Sequence, residues 1–196
     1  MAAAVSGDRF AWVEVASVDD LHAWLLAHHG QDEAVWLVTW KKVVPDRYVT
    51  SEQVLDELVA FGWIDGIRRR VDDERTRQLV SPRRTQPWAR SYRQRAERLH
   101  AEGRLQPSGL RSVERARATG MWDAMADVDD LVVPDDLAAA LASRPPAAAH
   151  FTGFPPSTRR NVLRWIASAR TAVTRDERIA RTAEEAQQGR RVRSNG

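Results

Sequence analysis

The feature that most constrains this chain is a change of rhythm. Up to about Val80, apolar residues alternate or run in short β-branched stretches between helical segments; from Trp88 onward they recur only every three or four positions. Alternation puts side chains on both faces of a strand, and the longer period puts them on one face of a helix. A chain that mixes the two and then drops strands is an α+β chain, with a small mixed β-sheet and packed helices followed by a C-terminal all-helical module. The boundaries read as an α+β domain over residues 1–120, a connecting segment over 121–133, a helical module over 134–190 and a disordered tail over 191–196.

Within that frame, residues 10–15 and 34–43 read as strands, the second apolar on both sides and therefore covered on both faces. Ser17 with Asp20 and Thr50 with Gln53 have the spacing of helix-capping pairs, and each precedes an apolar stripe of helical period. Residues 67–71 and 75–80 read as a hairpin turning through Asp72, Asp73 and Glu74. The stripes Trp88, Tyr92, Ala96, Leu99 and Leu110, Val113, Ala116 mark two helices, the second opened by Pro107. Further helices are expected after Pro134, around His150 and Phe151, from Ser157 to Arg170, and after a cap at Thr174.

One stretch carries chemistry. Phe61, Gly62, Trp63, Ile64, Asp65 and Gly66 follow the apolar helix of Val54, Leu55, Leu58 and Val59. Gly62 suits the left-handed backbone of a helix C-terminus, and Trp63 and Ile64 read as a short buried strand that delivers Asp65 to its end. A carboxylate in that setting needs a partner, because burial without one is costly. Arg83, Arg84 and Trp88 supply a second constellation, two guanidinium groups beside an indole on a loop that feeds a helix N-terminus, which suits an anion. The expectation is that Asp65, Arg83, Arg84 and Trp88 share one pocket for a small anionic ligand. Simpler readings stand beside it, with Asp65 tying down a turn and Trp88 anchoring the core.

Charge is unevenly spread. Residues 1–67 carry 4 basic against 11 acidic side chains, residues 68–117 carry 15 against 6, and every one of those 15 is arginine. Arginine holds phosphates bidentately, so 68–117 suits nucleic acid. An alanine-rich, lysine-poor composition also favours arginine throughout a chain, and the interspersed Glu97, Glu102 and Glu114 match ordinary helix-surface pairing. Arg111, Arg115 and Arg117 interleave with Glu114, which does not match a recognition helix with readers on one side. There is no cysteine, which removes disulfides and thiolate sites, and the five histidines lack zinc-ligand spacing. No metal or cofactor is expected. No apolar run of about 18 residues exists, so no membrane span is expected. Residues 1–8 lack a basic start and an apolar core for export, which points to the cytoplasm.

Three further motifs belong together. Leu21-His22-Ala23-Trp24-Leu25-Leu26 precedes the strand ending Trp40-Lys41-Lys42; Phe61 to Gly66 precedes Ser81-Pro82-Arg83-Arg84, Trp88 and the run from Arg95 to Gly109; and Trp165 to Arg170 precedes Thr174-Arg175 and Arg178-Ile179. Chained in this order over residues 10–190, they resemble the YdeI/OmpD-associated family, often labelled bacteriocin-protection proteins. The resemblance implies a role in survival under antimicrobial or envelope stress and carries no reaction with it. The chain departs from the family pattern at Ala60, where cysteine is usual, and at Pro87, Ala89 and Tyr92, where serine, serine and asparagine are usual. Those changes favour binding of a small anionic ligand or a protein partner over chemistry. Two alternatives remain open, a nucleic-acid-binding module built on residues 68–117 and a small-molecule enzyme centred on Asp65.

Overall fold

Residues 9–192 are described by the structure, a computed structural model; the expectations for residues 1–8 and for the end of the tail, 193–196, lie outside them. The chain divides into two units, Met1–Asp123 and Ala124–Gly196.

The first unit is built on strands β1 (Trp12–Glu14), β2 (Val35–Trp40), β3 (Trp63–Arg70) and β4 (Arg75–Pro82), in the order β1-β2-β4-β3. β1 runs parallel to β2, while β4 is antiparallel to both β2 and β3, which makes the sheet mixed. Helices α1 (Val18–His28), α2 (Ser51–Ala60), α3 (Arg90–Ala101) and α4 (Pro107–Ala118) complete it. Local chemistry starts the first two. The Ser17 hydroxyl accepts from the Asp20 amide at 3.0 Å while the Asp20 carboxylate accepts from the Ala16 amide at 2.9 Å. Thr50 and Gln53 form a reciprocal capping box. Each such cap contributes about 1 kcal/mol.

Register assigns the sheet faces. Val35, Leu37 and Val80 join Leu21, Leu25, Leu58, Trp63 and Leu99 in one core under α1 and α2. The other face carries Trp12, Trp36 and Trp40, with Val38 fully buried among them. There the cover includes arginines: Arg77 lies 4.4 Å from the Trp36 ring centroid and 4.7 Å from that of Trp12, and Arg47 lies 4.9 Å from that of Trp40. A guanidinium on an indole buries apolar surface and adds cation–π attraction.

Part of the uneven charge is consumed inside this unit. Glu14 pairs with Arg75, Asp32 with Arg84, Glu52 with Arg95, and Glu57 with Arg104 and His22. Asp56 sits at the centre, taking Arg95 and Arg98 directly, with Arg104 at 3.7 Å, so that α2 is tied to α3 and to the turn after it. Burial works against the Asp56 carboxylate, but hydrogen bonds from Arg98 and then Arg95 outweigh it and hold its pKa below the ordinary carboxylate value. A lowered pKa contributes stability above the unfolded value of about 4 that is lost as pH falls through the folded one. Asp56→Asn should therefore cost about 1–2 kcal/mol at neutral pH, water screening the outer guanidiniums, and should flatten the loss of stability below about pH 4. Denaturant unfolding at a series of pH values measures both effects.

The second unit is helical: α5 (Ala126–Asp129), α6 (Asp135–Ala142), α7 (Ala147–Gly153), α8 (Pro156–Ala167) and α9 (Ala172–Gln187). Leu137, Leu141, Phe151, Leu163, Ile166 and Ala183 fill its core. α9 is capped by Thr171, whose hydroxyl accepts from the Thr174 amide, rather than by Thr174. The segment read as a connector over 121–133 is divided between the units, with Trp122 in the first core and Val128, on α5, in the second. No helix among the described residues is long and apolar enough to cross a membrane.

Candidate functional site

Gly62 leaves α2 with φ +77°, the left-handed conformation expected of it. The strand that follows is longer than the two fragments read from sequence. Residues 63–70 form one strand with a register shift between Asp65 and Arg68, and Gly66 and Ile67 are the bulge that made it look interrupted. Asp65 accordingly sits inside β3, opposite Val80 on the helix-covered face, and not at a strand end.

Both Asp65 oxygens have donors. Oδ2 accepts from Gln78 Nε2 at 2.7 Å, and Oδ1 accepts from the Tyr92 hydroxyl. Gln78 Oε1 in turn accepts from Arg68 Nη2 at 2.7 Å, and Arg68 Nη1 donates to Ser51 Oγ at 3.2 Å. This line of hydrogen bonds links the start of α2 to α3 across β3 and β4. A carboxylate held in this way is a junction of the fold.

Arg83 completes the cluster. It is 2% exposed, with its guanidinium 4.3 Å from the Trp88 ring centroid and 4.7 Å from that of Tyr92. Nη1 donates to the carbonyls of Gln86 and Pro87, while Nε and Nη2 have no hydrogen-bond partner among the described residues. Burial pulls its pKa down to about 10, and the Asp65 charge acts in the opposite direction. Trp88, 1% exposed, packs on Trp122 in the core. The structure thus brings Asp65, Arg83 and Trp88 together around Tyr92. Arg84 is directed elsewhere, donating to Asp32 Oδ1 at 2.6 Å. Tyr92 and Gln78 are members that sequence reasoning missed, and the tyrosine that replaces the usual asparagine supplies the hydroxyl that Asp65 needs.

Arg84 belongs to an open groove of about 510 Å³, together with His29, Asp32, Gly62, Ser108, Arg111 and Arg115. Two glycines let α4 approach the α2–β3 corner beside it. An alanine methyl at Gly109 would lie 2.2 Å from the Ala60 carbonyl oxygen, and one at Gly62 would lie 2.9 Å from Ser112 Cβ, so the start of α4 is pressed against the α2–β3 corner. The 12-residue α4 begins at Pro107 without a side-chain cap, and the Ser108 hydroxyl is buried with no partner among the described residues. Ser108, Arg111 and Arg115 are three and four residues apart and line one side of the helix, a spacing that the sequence displayed. Arg115 Nη2 is anchored on the Arg83 carbonyl at 3.1 Å. The positive end of a helix and three guanidiniums, that of Arg84 shared with Asp32, therefore meet in one depression, which is favourable for an anion. His28 and His29 cap the end of α1 through their Nδ1 atoms, on the carbonyls of Trp24 and Leu26. Among the described residues, no group of three histidine or acidic side chains is arranged to hold a metal ion.

Two family models match the chain. Residues 13–112, just over half of it, match one described as Domain of unknown function (DUF8412), and residues 130–189 match one described as Bacteriocin-protection, YdeI or OmpD-Associated. The chain belongs to the DUF8412 family and carries a YdeI/OmpD-associated domain over residues 130–189. The YdeI/OmpD-associated match falls within the helical unit, whereas the Asp65 cluster and, apart from Arg115, the groove lie within the DUF8412 match. No curated protein and no solved structure matches the chain.

Proposed function

We propose that this YdeI/OmpD-associated protein acts in antimicrobial or envelope-stress tolerance by binding a small phosphate-like anion, without catalysing a reaction on it. The reading rests on one observation, the convergence of Arg84, Arg111 and Arg115 with the open start of α4 on a single groove. The site differs from the four-residue pocket anticipated around Asp65, of which only the segment from Arg83 to Arg84 lines this groove. A catalytic role for Asp65 has less support, since both of its oxygens are engaged by donors from the fold. A nucleic-acid role for residues 68–117 also has less, because Arg75, Arg95, Arg98 and Arg104 are already paired with acids of residues 1–67. A short anion needs only the few cations that face the groove.

Calorimetric titration with inorganic phosphate and with pyrophosphate at low salt tests the proposal. The double substitution Arg111→Ala/Arg115→Ala should weaken binding at least about tenfold, the loss of one or more charge-assisted hydrogen bonds. Unchanged affinity in that variant would remove the groove from consideration. A mobility shift with DNA that falls steeply with salt and persists in the same variant would favour the nucleic-acid alternative.

A further inference from the structure

The groove continues past its cationic wall. Gln31 and Asp32 line it, and the same two residues line a second cavity of about 570 Å³ that has a different character. Phe10, Val13, Trp24, His28 and Val35 give this neighbour an apolar and aromatic lining. Trp24 and His28 stack with ring centroids 4.9 Å apart and planes 10° from parallel. The pair is held from two sides. Trp24 meets the buried Trp63 edge-on at 5.5 Å, and His28 Nδ1 donates to the Trp24 carbonyl at 2.8 Å, which leaves Nε2 as its remaining ring nitrogen. A rigid aromatic wall of this kind accepts a flat ring at small entropic cost. The Gln31 amide and the carboxylates of Asp32 and Glu33 line the same cavity and supply hydrogen-bond acceptors, which suits a ring bearing an amino group.

We infer that the ligand is a phosphomonoester carrying a planar, amino-bearing aromatic ring, of the nucleoside monophosphate class. Its phosphate lies among Arg84, Arg111 and Arg115, and its ring lies in the cavity walled by Trp24 and His28. This rests on the anion-binding reading above and adds the chemical class of the ligand. Gln31 and Asp32 line both cavities, so the two adjoin, and a guanidinium has donors enough for Arg84 to hold the Asp32 carboxylate through Nη2 and a phosphate as well.

The test is calorimetric titration of the full chain with three probes: inorganic phosphate, glycerol phosphate and adenosine monophosphate. The expected order has adenosine monophosphate at least about tenfold tighter than glycerol phosphate, the gain typical of one stacked base. Trp24→Leu should bring adenosine monophosphate down to the affinity of glycerol phosphate. Should that variant unfold, His28→Ala, an exposed substitution, should reduce the same advantage severalfold. Equal affinity of the wild-type chain for adenosine monophosphate and glycerol phosphate overturns the ring site while leaving the anion site standing. Binding of none of the three probes overturns both.

Discussion

Gly109→Ala should destabilise the first unit by about 3 kcal/mol, against the sign expected of that substitution in a helix. Inside an exposed helix, alanine in place of glycine gains up to about 1 kcal/mol, because the unfolded chain loses freedom and the helix loses none. At Gly109 the added methyl would stand 2.2 Å from the carbonyl oxygen of Ala60 and 2.9 Å from its carbonyl carbon. Those atoms are backbone and cannot swing aside as the nearby Leu105 side chain can. The same carbonyl accepts the Gln106 amide at 3.0 Å, so moving α4 outward also stretches the bond that seats it. Overpacking against yielding side chains costs about 1–3 kcal/mol, and a backbone obstacle belongs at the upper end of that range or beyond. Gly153→Ala, at a position with nothing within 4 Å of the added methyl, should change stability by less than about 1 kcal/mol. Denaturant unfolding compares the two. The Gly109→Ala chain should also bind phosphate more weakly, because Ser108, Arg111 and Arg115 move with α4. A variant as stable as the wild type would mean that the corner is looser than the structure shows.

What the sequence displayed and what it concealed follow from the range of the interactions. Ser17 with Asp20 and Thr50 with Gln53 announce helix starts because a cap is closed within four residues. Gly62 was legible for the same reason: the backbone conformation at a helix end is a local demand. The β3 bulge was not, because only pairing with β4 shows that residues on either side of Gly66 and Ile67 belong to one strand. α5 escaped notice because four acidic and small residues make no periodic pattern, although Val128 and Asp129 are buried. At the candidate site the short-range pieces were visible, since Arg83 and Trp88 lie on one loop. The donors of Asp65 lie 13 and 27 residues away, and the acids that neutralise Arg95 lie about forty residues before it, beyond any spacing rule. Gly109, inside a helix, carried no sign of the carbonyl that approaches it.

Asp65→Asn should cost about 2–3 kcal/mol at neutral pH, and much of that loss should disappear when Arg83 is also changed. Two physical terms make up the loss. The first is the direction of the hydrogen-bond line: Arg68 can only donate, so the Gln78 oxygen must face it and the Gln78 amide nitrogen must face Asp65. An asparagine meets this line only with its oxygen on the Gln78 amide and its own amide group on the Tyr92 hydroxyl, which must turn from donor to acceptor. Both bonds then lose the charge assistance that the carboxylate gives them. The second term is charge. Arg83 is buried with two nitrogens unpartnered among the described residues, and the nearby Asp65 charge offsets part of that cost. Arg83→Met alone removes the buried cation while keeping much of the apolar packing on Trp88 and Tyr92, so its effect should stay within about 1 kcal/mol of wild type. In the double substitution the electrostatic term vanishes and the hydrogen-bond term remains, which predicts a coupling of about 1–2 kcal/mol between the two sites. A denaturant-based double-mutant cycle measures that coupling. Strict additivity would mean that Asp65 and Arg83 are held in place by packing alone, and that the electrostatic link between β3 and the loop beyond β4 contributes nothing to stability.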